Sequence, residues 1–112
     1  MSNFKKVVDG TITTDKSEKI FFAASIAGTY FGFLNMSNMQ AGDGITVRMK
    51  KQGGNVYEMT YVGVQNDPIL YFTPQLSIDN IQISIAKIAG VDRLFQYTMY
   101  FIQDEKYHTL GG

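Results

Sequence analysis

Between residues 44 and 103 the chain alternates apolar and polar positions with a period of two. Ile45, Val47 and Met49 fall on one side of an extended chain, and Thr46, Arg48 and Lys50 on the other. Tyr57, Met59 and Tyr61 oppose Glu58 and Thr60, and Ile81, Ile83 and Ile85 oppose Gln82, Ser84 and Ala86. Phe95, Tyr97, Met99 and Phe101 oppose Gln96, Thr98 and Tyr100. Successive side chains of a strand point to opposite faces, so each run presents one apolar face; a helix would scatter the same residues around its circumference. The runs are also rich in β-branched and aromatic residues, which suit a half-buried pleated surface.

Turn residues separate these runs. They occur at Asp9-Gly10, Thr14-Asp15-Lys16-Ser17, Ala27-Gly28, Ala41-Gly42-Asp43-Gly44, Gly53-Gly54-Asn55, Gln65-Asn66-Asp67-Pro68, Asp79-Asn80 and Ala89-Gly90. The pattern predicts strands near 4–13, 18–25, 28–35, 44–51, 55–64, 69–73, 79–88 and 93–103, with Lys51-Gln52-Gly53-Gly54-Asn55 as a tight hairpin connection. Ile20 to Ala24 is continuously apolar and reads as a strand buried on both faces. Gly32 marks a bulge or a close backbone approach. Asn35 to Gln40 reads as a loop or a short turn of helix, and Pro74 ends the strand that begins at 69. The expected fold is an all-β, two-sheet antiparallel sandwich of about eight strands, jelly-roll or Greek-key-like, with a small closed barrel as the alternative. One domain over 1–112 is expected, with mobile ends at about 1–5 and 104–112.

Composition narrows the class. The chain has 112 residues, 45% of them hydrophobic and 18% charged, which is a globular balance and not a disordered one. Ten basic and ten acidic residues leave a formal net charge of zero. Nucleic acid is therefore a poor partner, and close packing among copies meets little long-range repulsion. The absence of cysteine excludes disulfides, thiol nucleophiles and zinc–thiolate sites. No apolar leader follows the N-terminus and no run approaches a membrane span, so synthesis and retention in the cytoplasm, without a membrane partner, is the expectation.

Candidate chemistry is sparse. The single histidine, His108, lies in the expected tail, a poor support for a general base. No serine stands in a Gly-x-Ser-x-Gly elbow, and the Gly-rich segments lack the phosphate-loop pattern. Asp43, Asp67, Asp79 and Asp92 all fall at strand ends. Gathered at one end of a sandwich they would offer calcium an oxygen ligand set; separately they are turn residues, the preferred reading. Neither an enzyme nor a cofactor is expected. Arg48 and Lys50 share a solvent face, either as a contact patch or as a charged face that protects an edge.

Eight Phe and seven Tyr are more aromatics than a core of this size needs. Tyr30, Tyr71, Tyr100 and Tyr107 cannot all be internal. Exposed tyrosines suit protein interfaces and sugar binding, and without tryptophan platforms the interface is preferred. The candidate contact residues are Phe4, Tyr30, Arg48, Lys50, Tyr100 and Tyr107.

The layout also carries a resemblance. Gly28-Thr29-Tyr30 leads to Leu34-Asn35-Met36-Ser37-Asn38-Met39 and then to Gly42-Asp43-Gly44-Ile45-Thr46-Val47-Arg48. Tyr61 to Pro68, Ile81 to Ser84 and Ala89-Gly90-Val91-Asp92-Arg93-Leu94-Phe95-Gln96-Tyr97 follow. This order, over roughly residues 28–101, resembles small virion structural proteins of tailed phages, in particular capsid decoration or cement-like β-sandwich proteins. The resemblance implies a non-enzymatic role in a virion assembled in the host cytoplasm. Its partners would be the major capsid protein or other virion proteins, and it would be a homo-oligomer such as a trimer. A carbohydrate- or ligand-binding sandwich module, or a tail or adaptor component, is the alternative.

Overall fold

The computed structural model describes residues 5–51, 56–77 and 80–103. They form eight strands: β1 (Lys5–Thr13), β2 (Lys19–Ala24), β3 (Gly28–Asn35), β4 (Gly44–Lys51), β5 (Val56–Val62), β6 (Ile69–Ser77), β7 (Ile81–Ala89) and β8 (Leu94–Gln103). Two four-stranded antiparallel sheets result, ordered β1-β8-β3-β6 and β2-β7-β4-β5. Apart from β4 and β5, consecutive strands lie in different sheets, so the chain shuttles across the sandwich. This is the strand order of a jelly roll, one of the two expected topologies, and the sheets do not close into a barrel.

The core forms where the two inner faces meet. Ile45, Val47 and Met49 of β4, Ile81, Ile83 and Ile85 of β7, and Phe95 and Met99 of β8 are all buried, as their alternation requires. Met36 and Met39 close one end from the β3–β4 connection, which is a turn and loop without helix. The Met36 amide donates to the Pro68 carbonyl (2.6 Å), which ties that loop to the one before β6.

Three local features depart from simple alternation. In β2 the register against β7 shifts between Ile20 and Phe22, so two steps on β2 face one on β7. Phe21 is the extra residue, and Phe21 and Phe22 both enter the core while Ile20 stays 54% exposed. The apolar run is thus bulged and not buried on both faces. Second, β6 continues through Pro74 to Ser77. Proline is tolerated because β6 is an edge strand and carries an irregularity opposite Tyr30–Gly32, where three steps on β6 face two on β3. Third, β1 begins at Lys5, a residue expected in a mobile end.

Gly32 is a close approach. A Cβ there would stand 2.2 Å from the Thr98 carbonyl oxygen and 2.9 Å from Met99 Cα, so only glycine lets β3 lie this near β8.

Candidate protein-interaction face

The outer face of the β1-β8-β3-β6 sheet is built by the residues that alternate with its core positions. On β3 these are Thr29, Phe31, Phe33 and Asn35, because Gly28, Tyr30, Gly32 and Leu34 point inward. Strand register then places the other residues beside them. Val7 of β1 lies opposite Tyr100 of β8, which lies opposite Phe31. The next row is Asp9, Thr98, Phe33 and Tyr71, across all four strands.

These rows form an aromatic field. Phe31 and Tyr100 stack with ring centroids 5.1 Å apart and planes 11° from parallel. Phe33 and Tyr71 meet edge to face at 6.4 Å. Tyr71 is 66% exposed and Val7 49%, so the field is open to solvent at both edge strands. Among the described side chains of this face Asp9 alone is charged, and its carboxylate accepts a hydrogen bond from the Thr98 hydroxyl at 2.6 Å. The cross-strand ring pairs stabilise the sheet, but the rings lie on the side away from the core, and an apolar patch left open to solvent there marks an interaction surface.

The outer face of the other sheet has the opposite character. Arg48 lies in one row with Ser84 and Glu58. Its Nε donates to Glu58 (2.5 Å) and one terminal nitrogen donates to Glu18 (3.1 Å). The hydrogen bond to Glu58, then the charges of Glu58 and Glu18, hold the guanidinium still more firmly protonated. The Ser84 hydroxyl donates to the second oxygen of Glu18, and Thr46 pairs with Thr60 at 3.2 Å. Ile20, Arg48, Lys50, Val56 and Gln82 line a shallow groove of about 630 Å³ along this face. Arg48 and Lys50 do share one solvent face, but two carboxylates neutralise Arg48, so the pair is no simple basic patch.

The remaining sequence candidates disperse. Tyr30 is 1% exposed: it stacks on Phe101 (5.4 Å), and its hydroxyl donates to the Ile26 carbonyl. It is a core residue and not a contact residue. The even positions of β3 face the second sheet, and burial raises the Tyr30 phenol above its ordinary value. Phe4, Tyr107, His108 and Asp79 lie outside the described residues. Tyr100 stands on the aromatic face, half-buried beneath its stack.

The described strand-end carboxylates Asp43 and Asp92 each have a cationic partner of their own. Asp43 is buried and accepts bonds from the Gln40 amide and Arg93 Nε, each 2.8 Å, which hold its carboxyl below the usual range. Gly90, at φ +84°, passes so close that a Cβ would lie 2.2 Å from the Asp43 carboxylate. Thr14 completes the lock: its amide and hydroxyl donate to the Arg93 carbonyl, and its hydroxyl accepts from the Arg93 amide. Asp92 pairs with Lys87 at 2.7 Å. No group of three or more potential metal ligands occurs among the described residues.

Sequence reasoning missed Phe31, Phe33 and Val7 as surface residues. Parity in β3 separates Tyr30 and Leu34 from Phe31 and Phe33, but it does not say which pair is covered. Tyr71 was recognised only as one of four tyrosines too many for the core.

At the end of the sandwich, Tyr61, Tyr71, Gln65, Asn66 and Asp67 border a second cleft of about 640 Å³. The Gln65 side-chain Nε2 donates to the carbonyls of Val62 (3.1 Å) and Gly63 (3.2 Å), and the Gly63 backbone amide donates to the Asp43 carbonyl (2.8 Å). The β5–β6 loop is thereby tied to the same lock.

No protein-family model and no curated protein matches the chain. Among solved structures it is similar to a protein described under the words "Bacillus endospore appendages form a novel family of disulfide-linked pili". The TM-score is 0.60 at 17% identity, covering 92% of this chain and 90% of that one. At this identity the likeness establishes the β-sandwich fold. A second similarity, TM-score 0.38 at 10% identity, is to TmCBM61 in complex with beta-1,4-galactotriose, over 92% of this chain and 66% of that one. The second likeness is too loose to bear on the fold.

Proposed function

We propose that the chain is a non-enzymatic structural subunit, held in a larger protein assembly by non-covalent protein–protein contacts. The observation that carries this reading is the aromatic outer face of the β1-β8-β3-β6 sheet: Phe31, Phe33, Tyr71, Tyr100 and Val7 in two adjacent rows with one described charge beside them. Aromatic residues with little charge are the signature of an interface centre. Zero net charge removes the long-range repulsion that would oppose dense packing of copies. The appendage protein of similar fold is described as forming pili, a precedent for a fold of this kind in a protein assembly. Its pili are described as disulfide-linked, whereas this chain contains no cysteine, so the contacts here would rest on packing and hydrogen bonds.

In its finer form the assembly is a virion, with the chain bracing a capsid lattice. Light scattering and negative-stain microscopy on the purified chain, with and without capsid particles, test both levels. Ordered oligomers or saturable co-sedimentation are expected. A monomer at all concentrations that ignores particles would reject the reading.

A ligand-binding module is the second reading, favoured by the cleft between Tyr61 and Tyr71. Its volume lies within the range of small-molecule sites, and it pairs two phenol rings with amide and carboxylate groups. Saturable binding of an oligosaccharide by the monomer, lost in Tyr61→Ala, would establish it.

A further inference from the structure

We infer that the outer face of β1-β8-β3-β6 is an isologous contact, on which two copies of the chain pack sheet against sheet. The inference rests on the structural-subunit reading and names the partner of its aromatic face.

Charge selects the occupant. The face offers one described carboxylate, Asp9, already bonded to Thr98. Asp9 is the single charge among the described side chains of this face, so neither a strongly charged partner nor a lipid headgroup surface meets an extended field of opposite charge there. The paired charges of Arg48, Glu18 and Glu58 sit on the opposite sheet. The surface that matches an aromatic sheet face of little charge is another of the same kind, and the face itself is one.

Shape and area agree. About eight residues per strand at roughly 3.3 Å each, across four strands about 4.8 Å apart, give a face of roughly 500 Å². Two such faces together remove about 1,000 Å², the lower bound for a specific contact, which makes the pair reversible and concentration-dependent. Twisted sheets stack at about 10 Å with strands inclined by about 30°, and a two-fold axis through such a stack brings each patch onto its own copy. Phe31, Phe33 and Tyr100 lie on the two middle strands and form the centre of the contact, with Tyr71 and Val7 on the two edge strands at its rim.

Sedimentation velocity of the full chain over a concentration series tests this, with Tyr71→Lys and Val7→Lys on the face and Ile20→Lys on the other sheet as control. All three side chains are about half exposed or more, so each variant is expected to fold, and circular dichroism verifies it. The expected result is a monomer–dimer equilibrium weakened roughly a hundredfold by Tyr71→Lys, because a charge is then carried into an apolar contact, and by Val7→Lys in the same direction. Ile20→Lys leaves it unchanged. Oligomers that survive both face variants but fall apart with Ile20→Lys would overturn the inference while leaving the structural reading intact. So would a monomer that binds capsid particles through Tyr71. A monomer that binds nothing would overturn both.

Discussion

Replacing Gly32 by alanine probes the contact that brings β3 against β8 and thereby sets Phe31 over Tyr100. The added Cβ would lie 2.2 Å from the Thr98 carbonyl oxygen, 2.6 Å from Met99 Sδ and 2.9 Å from Met99 Cα. The sulfur can swing aside on a flexible side chain. The carbonyl and the Cα cannot, because β8 is also laddered to β1 on its far side. Ordinary carbon contacts need about 3.5 Å, so the strands must separate by roughly 1 Å. Overpacking of this sort costs about 1–3 kcal/mol, and a backbone clash belongs at the upper end. Alanine recovers about 0.5–1 kcal/mol by restricting the unfolded chain. The net loss is about 2 kcal/mol, or roughly 10 °C in Tm for a domain near this size. Urea unfolding followed by circular dichroism measures it, with the slope m unchanged if only stability moves. The displaced strand also takes Phe31 off its stack, so any oligomer that uses the face weakens with it. A variant within about 0.5 kcal/mol of the parent, the ordinary range of a surface change, would refute the close-approach argument.

Three further outcomes follow from the same geometry. Phe21→Ala should lose about 3–5 kcal/mol and Ile20→Ala less than about 0.5, a contrast that urea titration reads and that only the bulge explains. On acidification, Asp15 is lowered from 3.8 to about 2 by the Ser17 hydroxyl and amide and then Lys19, and Asp43 is lowered by the Gln40 amide and then Arg93. Their contribution is therefore complete above the unfolded value and lost as pH falls through the folded one, so thermal stability measured against pH should drop only below about 4. Arg93→Ala should shrink that acid loss and lower stability near neutrality, because the folded Asp43 carboxyl then lies closer to its unfolded value. At the alkaline end Tyr30 is raised by burial, so the unfolded chain ionises first and stability falls as pH rises beyond the ordinary phenol value. Tyr30→Phe should flatten that limb in pH-dependent melts, at a loss of about 0.5–1.5 kcal/mol near neutrality.

The alternation of β4, β7 and β8 was legible because side-chain parity is a local property: whichever sheet a strand joins, odd and even residues face opposite ways. From it came the strands, the sandwich and most of the core, including Ile45, Val47, Met49, Ile81, Ile83, Ile85, Phe95 and Met99. Parity does not say which of two apolar sets is covered. In β3 both sets are aromatic, and the second sheet, packing on the side of Tyr30 and Leu34, decided that Phe31 and Phe33 face out. Likewise Ile20 to Ala24 is uniformly apolar, and the register shift against β7 decided that Phe21 and Phe22 share one side. The pairing of β1 with β8 and of β2 with β7 joins residues far apart in the chain, which no local pattern encodes. The interaction face exists only through such pairing. Val7, Tyr100, Phe31, Phe33 and Tyr71 come from four separate strands, and only the hydrogen-bonded register of the folded sheet brings them together.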